Sequence, residues 1–272
     1  MFPDFSRRAS PFLRGAALVV LAVAAGVVRA QAPLRTFASQ RHLWLTVNAE
    51  PRFSERWGTR AELILRRAEE GRTWQQVQFR VAPVWNPRRD LQVSVGYLFS
   101  RTFPYGRFPV RRVFNEHRLY QQLVLRSALG RFAVAHRYRV EQRWSRPASA
   151  TEPGRYTSVF TNRARYQARA MLPLAGQVAA TPGPYTAVST EVFVSFGAQV
   201  GRNVFDQFRA YGGCGWQLTK AAGIELGYLQ QINQQSNGTN FERNHTAQLT
   251  FNINPNFASP DTPRPDTNDS GD

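Results

Sequence analysis

Residues 132–143, Phe132-Ala133-Val134-Ala135-His136-Arg137-Tyr138-Arg139-Val140-Glu141-Gln142-Arg143, carry the pattern that decides the fold. Phe132, Val134, Tyr138 and Val140 fall on one face, and Arg137, Arg139, Glu141 and Arg143 on the other. A period of two belongs to a β-strand, whose successive side chains point to opposite sides of the sheet.

The alternation recurs in both directions along the chain. Leu91, Val93, Val95, Tyr97 and Phe99 alternate with Gln92, Ser94, Gly96, Leu98 and Ser100. Ala61, Leu63 and Leu65 alternate with Arg60, Glu62, Ile64 and Arg66, and Val77, Phe79 and Val81 oppose Gln76, Gln78 and Arg80. Downstream, Ala164, Tyr166, Ala168 and Ala170 oppose Arg163, Arg165, Gln167 and Arg169. Ile224, Leu226, Tyr228 and Ile232 then oppose Glu225, Gly227 and Gln231. Eleven segments follow from this reading: 42–52, 57–67, 73–84, 90–101, 115–127, 131–144, 159–172, 186–197, 204–218, 222–233 and 243–254. Each is about the length that a tilted membrane strand needs.

The connections alternate in length as well. Ser54–Arg56, Asn86–Arg89, Ala128–Gly130 and Thr219–Ala221 are tight, whereas Thr102–Val113, Ser145–Tyr156 and Gln234–Glu242 are long and rich in Gly, Pro or Ser. Outer-membrane barrels keep short turns on the periplasmic side and long loops outside. Pro173–Pro184 breaks the pattern, being long where a turn is expected. Alternation alone would also suit a soluble sheet.

In a barrel the charged face lines the lumen. That face comprises Glu50, Glu62, Glu116, Glu141, Glu191 and Glu225, with Arg60, Arg66, Arg80, Arg118, Arg137, Arg139, Arg143, Arg163, Arg165, Arg169 and Arg209. A guanidinium offers a planar five-donor fork that bridges carboxylates across strands. The expectation is therefore a narrow lumen crossed by salt bridges. A surplus of positive charge could alternatively line an anion path.

The fold class expected is all-β: an antiparallel transmembrane β-barrel of about twelve strands, with ten as the second choice. Bacterial barrels close with even numbers, so residues 33–41 are read as a twelfth strand preceding the segment 42–52. The domain plan is a cleaved signal peptide over 1–32, the barrel over 33–257, and a disordered polar tail over 258–272. Arg7, Arg8 and Arg14 precede the apolar run Gly15–Val28, and Ala30-Gln31-Ala32 supplies a small-x-small cleavage signature. After Ala32 no apolar run approaches membrane-helix length. Only a closed barrel would then satisfy the backbone in lipid.

The formal charge is +17. A charge of this size often signals nucleic acid, but the export signature argues against such a partner. The partners expected are outer-membrane lipid, including lipopolysaccharide phosphates beside loop residues Arg101, Arg107, Arg111 and Arg112, and the outer-membrane assembly machinery. Cys214 has no second cysteine to pair with and is expected to be inert, buried or lipid-facing. His42, His117, His136 and His245 are far apart in sequence, so no metal site and no cofactor are expected.

Several segments together resemble a known family: Asn115-Glu116-His117-Arg118-Leu119-Tyr120-Gln121-Gln122-Leu123, Leu129-Gly130-Arg131-Phe132, and His136 through Trp144. Asn162-Arg163-Ala164-Arg165-Tyr166, Thr190-Glu191-Val192-Phe193, Phe205-Asp206-Gln207-Phe208-Arg209 and Glu225-Leu226-Gly227-Tyr228 follow in order. The chain from about Arg41 to Asn254 resembles the uncharacterised outer-membrane barrel family known as domain of unknown function 2490. The resemblance implies a β-barrel in the outer membrane of a Gram-negative bacterium. It carries over no catalytic residue. The polar tail after Phe257 departs from the aromatic ending usual for an outer-membrane strand.

A lipid-active hydrolase is the enzymatic alternative, and would need a Ser nucleophile with a His base. Ser236-Asn237-Gly238 has a suitable look, but Gln234 stands where the His is required, and His117 has no assignable Ser. No enzymatic activity is therefore expected. The remaining alternative is a soluble, secreted β-barrel binding an apolar ligand. Asp206 is read either as a partner of a lumen arginine or as a simple strand start.

Overall fold

The computed structural model describes residues 35–149, 154–174 and 182–258. The expected signal peptide lies outside the described residues, as does the tail beyond 258. The described chain is all β apart from one 3₁₀ turn, Glu69–Gly71. Eleven strands run in order: β1 Thr36–Ala49, β2 Trp57–Ala68, β3 Thr73–Arg88, β4 Leu91–Thr102, β5 Phe114–Leu129, β6 Phe132–Ser145, β7 Val159–Pro173, β8 Gly183–Phe196, β9 Phe205–Gln217, β10 Ala222–Gln234 and β11 Asn240–Ile253.

They form a closed barrel in which each strand pairs with its sequence neighbours and β1 closes on β11. All sequential pairs are antiparallel, and the closing pair is parallel. This corrects the expected count. Residues 36–41 are not a separate strand but the first half of β1, paired from Thr36↔Asn240 to Arg41↔His245 along β11. An odd number of up-and-down strands brings first and last strands together in the same direction, so eleven strands require one parallel seam. The seam continues past the strands, where Arg52 N–H donates to the Pro255 carbonyl at 2.9 Å and Phe257 N–H to the Arg52 carbonyl at 2.8 Å. Closure leaves no free edge.

The turn end of the barrel carries connections 50–56, 89–90, 130–131, 174–182 and 218–221; the loop end carries 69–72, 103–113, 146–158, 197–204 and 235–239. The strand ends Pro173 and Gly183, which the long connection joins, lie at the turn end, and the β10–β11 loop is shorter than expected because β11 starts at Asn240. Pro83 sits inside β3 where the bridges to β4 skip from Val81↔Tyr97 to Val84↔Ser94, so its missing N–H interrupts a gap in the ladder.

The period-two faces separate cleanly. Leu43, Leu63, Phe79, Val95, Leu119, Val140, Val188 and Leu226 are exposed on the outer wall, while Arg80, Glu116, Arg118, Arg139, Glu141 and Glu191 are buried inside. Five of the six tryptophans share the outer wall or its rims: Trp57, Trp74, Trp85, Trp144 and Trp216. Trp44 alone is buried within. Cys214 is exposed on β9, at an outward position.

Two bulges break the alternation where it matters. Between Arg66 and Arg67 the β2–β3 register slips by one residue, leaving Gln75 unpaired and turning both Gln75 and Gln76 inward. The β8–β9 register slips between Phe193 and Val194, which sends Asp206 into the lumen beside Gln207. A bulge sets two residues against one and re-aims the extra side chain. Two glycines make room for lumen aromatics. A Cβ at Gly96 would stand 2.6 Å from the Tyr120 hydroxyl, and one at Gly227 would strike the Tyr211 ring.

Candidate functional site: an ion-paired lumen

Strands β5 to β9 build the centre of the site, because their inward positions carry most of the charge. Glu141 on β6 is its hub. It accepts from Arg163 Nη2 and Arg165 Nη1, both at 2.6 Å, with Arg139 at 3.6 Å and Arg118 at 3.7 Å. Glu191 on β8 accepts from Arg165 at 2.7 Å and Arg137 at 2.8 Å, with Arg209 at 3.7 Å. Glu116 on β5 takes Arg118 at 2.5 Å and Arg143 at 2.7 Å. Asp206 takes Arg163 at 2.8 Å, which settles its role in favour of a lumen partner. Within this central cluster the charges are contiguous, so each of these ions has an opposite neighbour, the condition under which burial is tolerable.

Smaller clusters flank this centre. Arg80 pairs with Glu62. Toward the turn end, Arg169 pairs with Glu225 at 2.5 Å, and Tyr211, lying across Gly227, donates to the same carboxylate at 2.7 Å. At the rim, Glu50 accepts from Arg60 at 2.6 Å and from the Gln92 amide at 2.6 Å. Burial opposes ionisation of Glu50, but Arg60 and these hydrogen bonds outweigh it and hold its pKa below the ordinary carboxylate value. Thus Glu62, Glu116, Arg118, Arg137, Arg139, Glu141, Arg143, Arg163, Arg165, Arg169, Glu191, Arg209 and Glu225 all occupy inward positions and join ion pairs.

Sequence reasoning missed several participants. Glu242 is buried at the loop end with no arginine within ion-pair distance among the described residues. The sequence pattern places it at the end of the long Gln234–Glu242 connection, but Glu242, Asn244, Thr246 and Thr250 continue the inward alternation of β11. Tyr105, from the 103–113 loop, reaches into the lumen and completes a relay with it. Trp44 Nε1 donates to Gln75 Oε1 at 3.0 Å, Gln75 Nε2 to the Tyr105 hydroxyl at 3.1 Å, and that hydroxyl to Glu242 at 3.1 Å. Burial first, and the Glu242 carboxylate second, push the Tyr105 pKa above the ordinary phenol value, so the hydroxyl stays a donor. His42 lies edge-on to the Tyr105 ring, 5.5 Å between centroids. Phe193 and Trp44 add two lumen rings with guanidinium groups over them.

Tyr105 therefore latches its loop over the lumen mouth. Tyr105→Phe removes the donor to Glu242, and an unsatisfied buried acceptor costs about 1–3 kcal/mol. The expected result in limited proteolysis is nicking between 103 and 113 accelerated by about tenfold, with the strands still protected. Unchanged nicking would mean that the loop is held by other contacts.

A cavity of about 500 Å³ threads the lumen, lined by Arg66, Arg80, Arg118, Arg165, Arg209 and the carboxylates that pair with some of them. With Asp206 and Glu242 added to the six acids read from the sequence, and Arg126 of β5, beside Glu50 and Arg60, added to the eleven arginines, twelve inward arginines face eight carboxylates among the described residues. The other three histidines lie on the outer wall, each against a tyrosine hydroxyl of a neighbouring strand: His117 with Tyr97 at 2.5 Å, His136 with Tyr166 at 2.9 Å and His245 with Tyr228 at 2.5 Å. Ser236 lies in the separate β10–β11 turn.

Fold and site together define a closed eleven-stranded β-barrel whose lumen is crossed by arginine–carboxylate networks. The chain belongs to the family described as "Protein of unknown function (DUF2490)", whose model matches residues 41–242. No curated protein and no solved structure matches the chain.

Proposed function

We propose that this protein is a bacterial outer-membrane β-barrel with a structural or small-solute role, and that any conductance it has prefers anions. The observation that carries this reading is its inside-out polarity, with exposed Leu, Val and Phe on the outer wall and buried ion pairs within. Aromatic residues edge that wall at both ends. Trp74, Phe37, Trp144, Phe160 and Phe196 are exposed near the loop end, and Trp57, Trp85, Phe132 and Trp216 near the turn end. Trp74 and Trp85 lie eleven positions apart on β3. At ~3.3 Å per residue and the usual tilt, that separation gives about 27 Å, close to the apolar band of such barrels.

The loop end also carries outward arginines in the aromatic edge: Arg41, Arg67, Arg101 and Arg243, on β1, β2, β4 and β11. Arg101 stands over Phe103 and Arg243 over Phe37. Cations at headgroup depth suit anionic lipid phosphates, lipopolysaccharide among them, and favour the loop end as the outer face. A ligand-binding soluble barrel would need an apolar interior, and this cavity is lined mainly by charged and amide side chains. The protein is further proposed to be non-catalytic, since Tyr97 engages His117 and no serine hydroxyl bonds it among the described residues.

Fractionation tests the placement. The protein is expected in the outer-membrane fraction, extractable only with detergent and migrating differently on gels before and after boiling. Recovery in a detergent-free soluble fraction would overturn it. Planar bilayers test the transport version, which predicts anion-preferring current. Absent or cation-preferring current would leave only the structural role.

A further inference from the structure

Arg66 is the exception in the lumen network. Its side chain is buried, yet among the described residues no carboxylate lies within ion-pair distance. Among the described residues its side chain makes one hydrogen bond, from Nη1 to the Gln76 amide oxygen at 2.7 Å, and Nε–H has no partner. The guanidinium lies 3.9 Å from the centroid of the Trp44 ring. Arg209 approaches the same ring from β9, at 5.2 Å. Its nearest carboxylate is Glu191 at 3.7 Å, which already accepts from Arg165 at 2.7 Å and Arg137 at 2.8 Å. In the orientation its neighbours require, the Gln207 amide oxygen gives Arg209 one further neutral acceptor at 3.0 Å. Both arginines line the cavity of about 500 Å³.

A desolvated guanidinium without a counter-ion is costly, and an aromatic face offsets only part of that cost. Arg66 lines the cavity and keeps its buried Nε–H without an acceptor, and Arg209 stands beside the same indole. Planar guanidinium forks match the oxygens of phosphate, sulfate and carboxylate.

We propose that the lumen, in its half toward the loop end, binds a compact oxyanion, of the phosphate, sulfate or carboxylate class, at Arg66 and Arg209 beside Trp44. This deepens the reading of the arginine-rich lumen as a small-solute path, but does not depend on membrane insertion. The anion could be free, or an acidic group carried on a larger solute such as a sugar phosphate.

The test is calorimetric titration of the full-chain barrel, folded in detergent, with inorganic phosphate, sulfate and glucose 6-phosphate against chloride at matched ionic strength. Saturable binding of one anion per chain is expected, at least tenfold weaker in Arg66→Gln and in Arg209→Gln, and unchanged in the exposed turn variant Lys220→Gln. Binding of phosphate alone identifies a free anion; binding of glucose 6-phosphate as well identifies a carried group. The anion should also raise the unfolding midpoint of the wild-type barrel. Arg66→Gln should abolish that increase without lowering the anion-free midpoint, because it removes an uncompensated charge. No saturable binding, or equal binding in wild type and both lumen variants, would overturn the proposal. A reduced anion-free midpoint in Arg66→Gln with unchanged titration would assign Arg66 a packing role instead. Liposome flotation of the same preparation separates this result from the outer-membrane reading: a barrel that fails to float but binds phosphate retains the site.

Discussion

Glu141→Gln is expected to destabilise the barrel by about 3–5 kcal/mol, the cost typical of breaking a buried ion pair from one side. The substitution is nearly isosteric and keeps one acceptor oxygen, so packing changes little. What it removes is the only negative charge that Arg163 and Arg165 both contact at 2.6 Å, with Arg118 and Arg139 just beyond. Arg163 retains Asp206 and Arg165 retains Glu191, whereas Arg139 is left with the Gln122 amide and the Tyr120 ring. Urea unfolding followed by the β-sheet circular dichroism signal should show a lower midpoint. Arg139→Met tests the same balance from the other side. Removing one of the crowded cations from the Glu141→Gln background should recover part of the loss. A Glu141→Gln barrel as stable as wild type would mean that the network is solvated and contributes little.

The second large effect concerns the outer wall. Leu63 faces outward near the middle of β2 and is 40% exposed. Leu63→Arg leaves the lumen untouched. If the wall meets lipid, an arginine there costs about 2–4 kcal/mol at the bilayer midplane. Folding into liposomes should then fail or require less urea to reverse, whereas Arg101→Gln near the rim should change it little. If the wall meets water, Leu63→Arg would be nearly neutral and would improve solubility without detergent. The two environments thus predict opposite results for one substitution.

Much of this arrangement was legible in the sequence because a strand's two faces follow from a local rule. Arg137, Arg139, Glu141 and Arg143 lie on one side of β6 for a steric reason that needs no knowledge of the rest of the chain. Eleven segments were counted from alternation, and eleven strands are present. The error came from adding residues 33–41 to restore an even number. No local feature of Thr36–Arg41 says that its partner is β11, some two hundred residues away, or that the pairing is parallel. The short apolar signal there is weak because Ser39, Gln40 and Arg41 interrupt it.

The bulges were hidden for a related reason. A period-two reading assigns Gln75 and Gln76, or Asp206 and Gln207, to opposite faces, yet each pair enters the lumen together. The slip is a property of the pairing between two strands and not of either strand alone. Tyr105 was equally out of reach, since a loop residue's destination depends on the space the closed barrel leaves above Trp44 and Gln75.

The sequence by itself determined the strands, their inner and outer faces, and the basic, ion-pairing character of the lumen, because each follows from neighbours one or two residues apart. Only the tertiary structure decided the strand number, the parallel seam, the bulged insertions and the unpaired position of Arg66. Those depend on register and closure, where residues distant in the chain compete for the same partners.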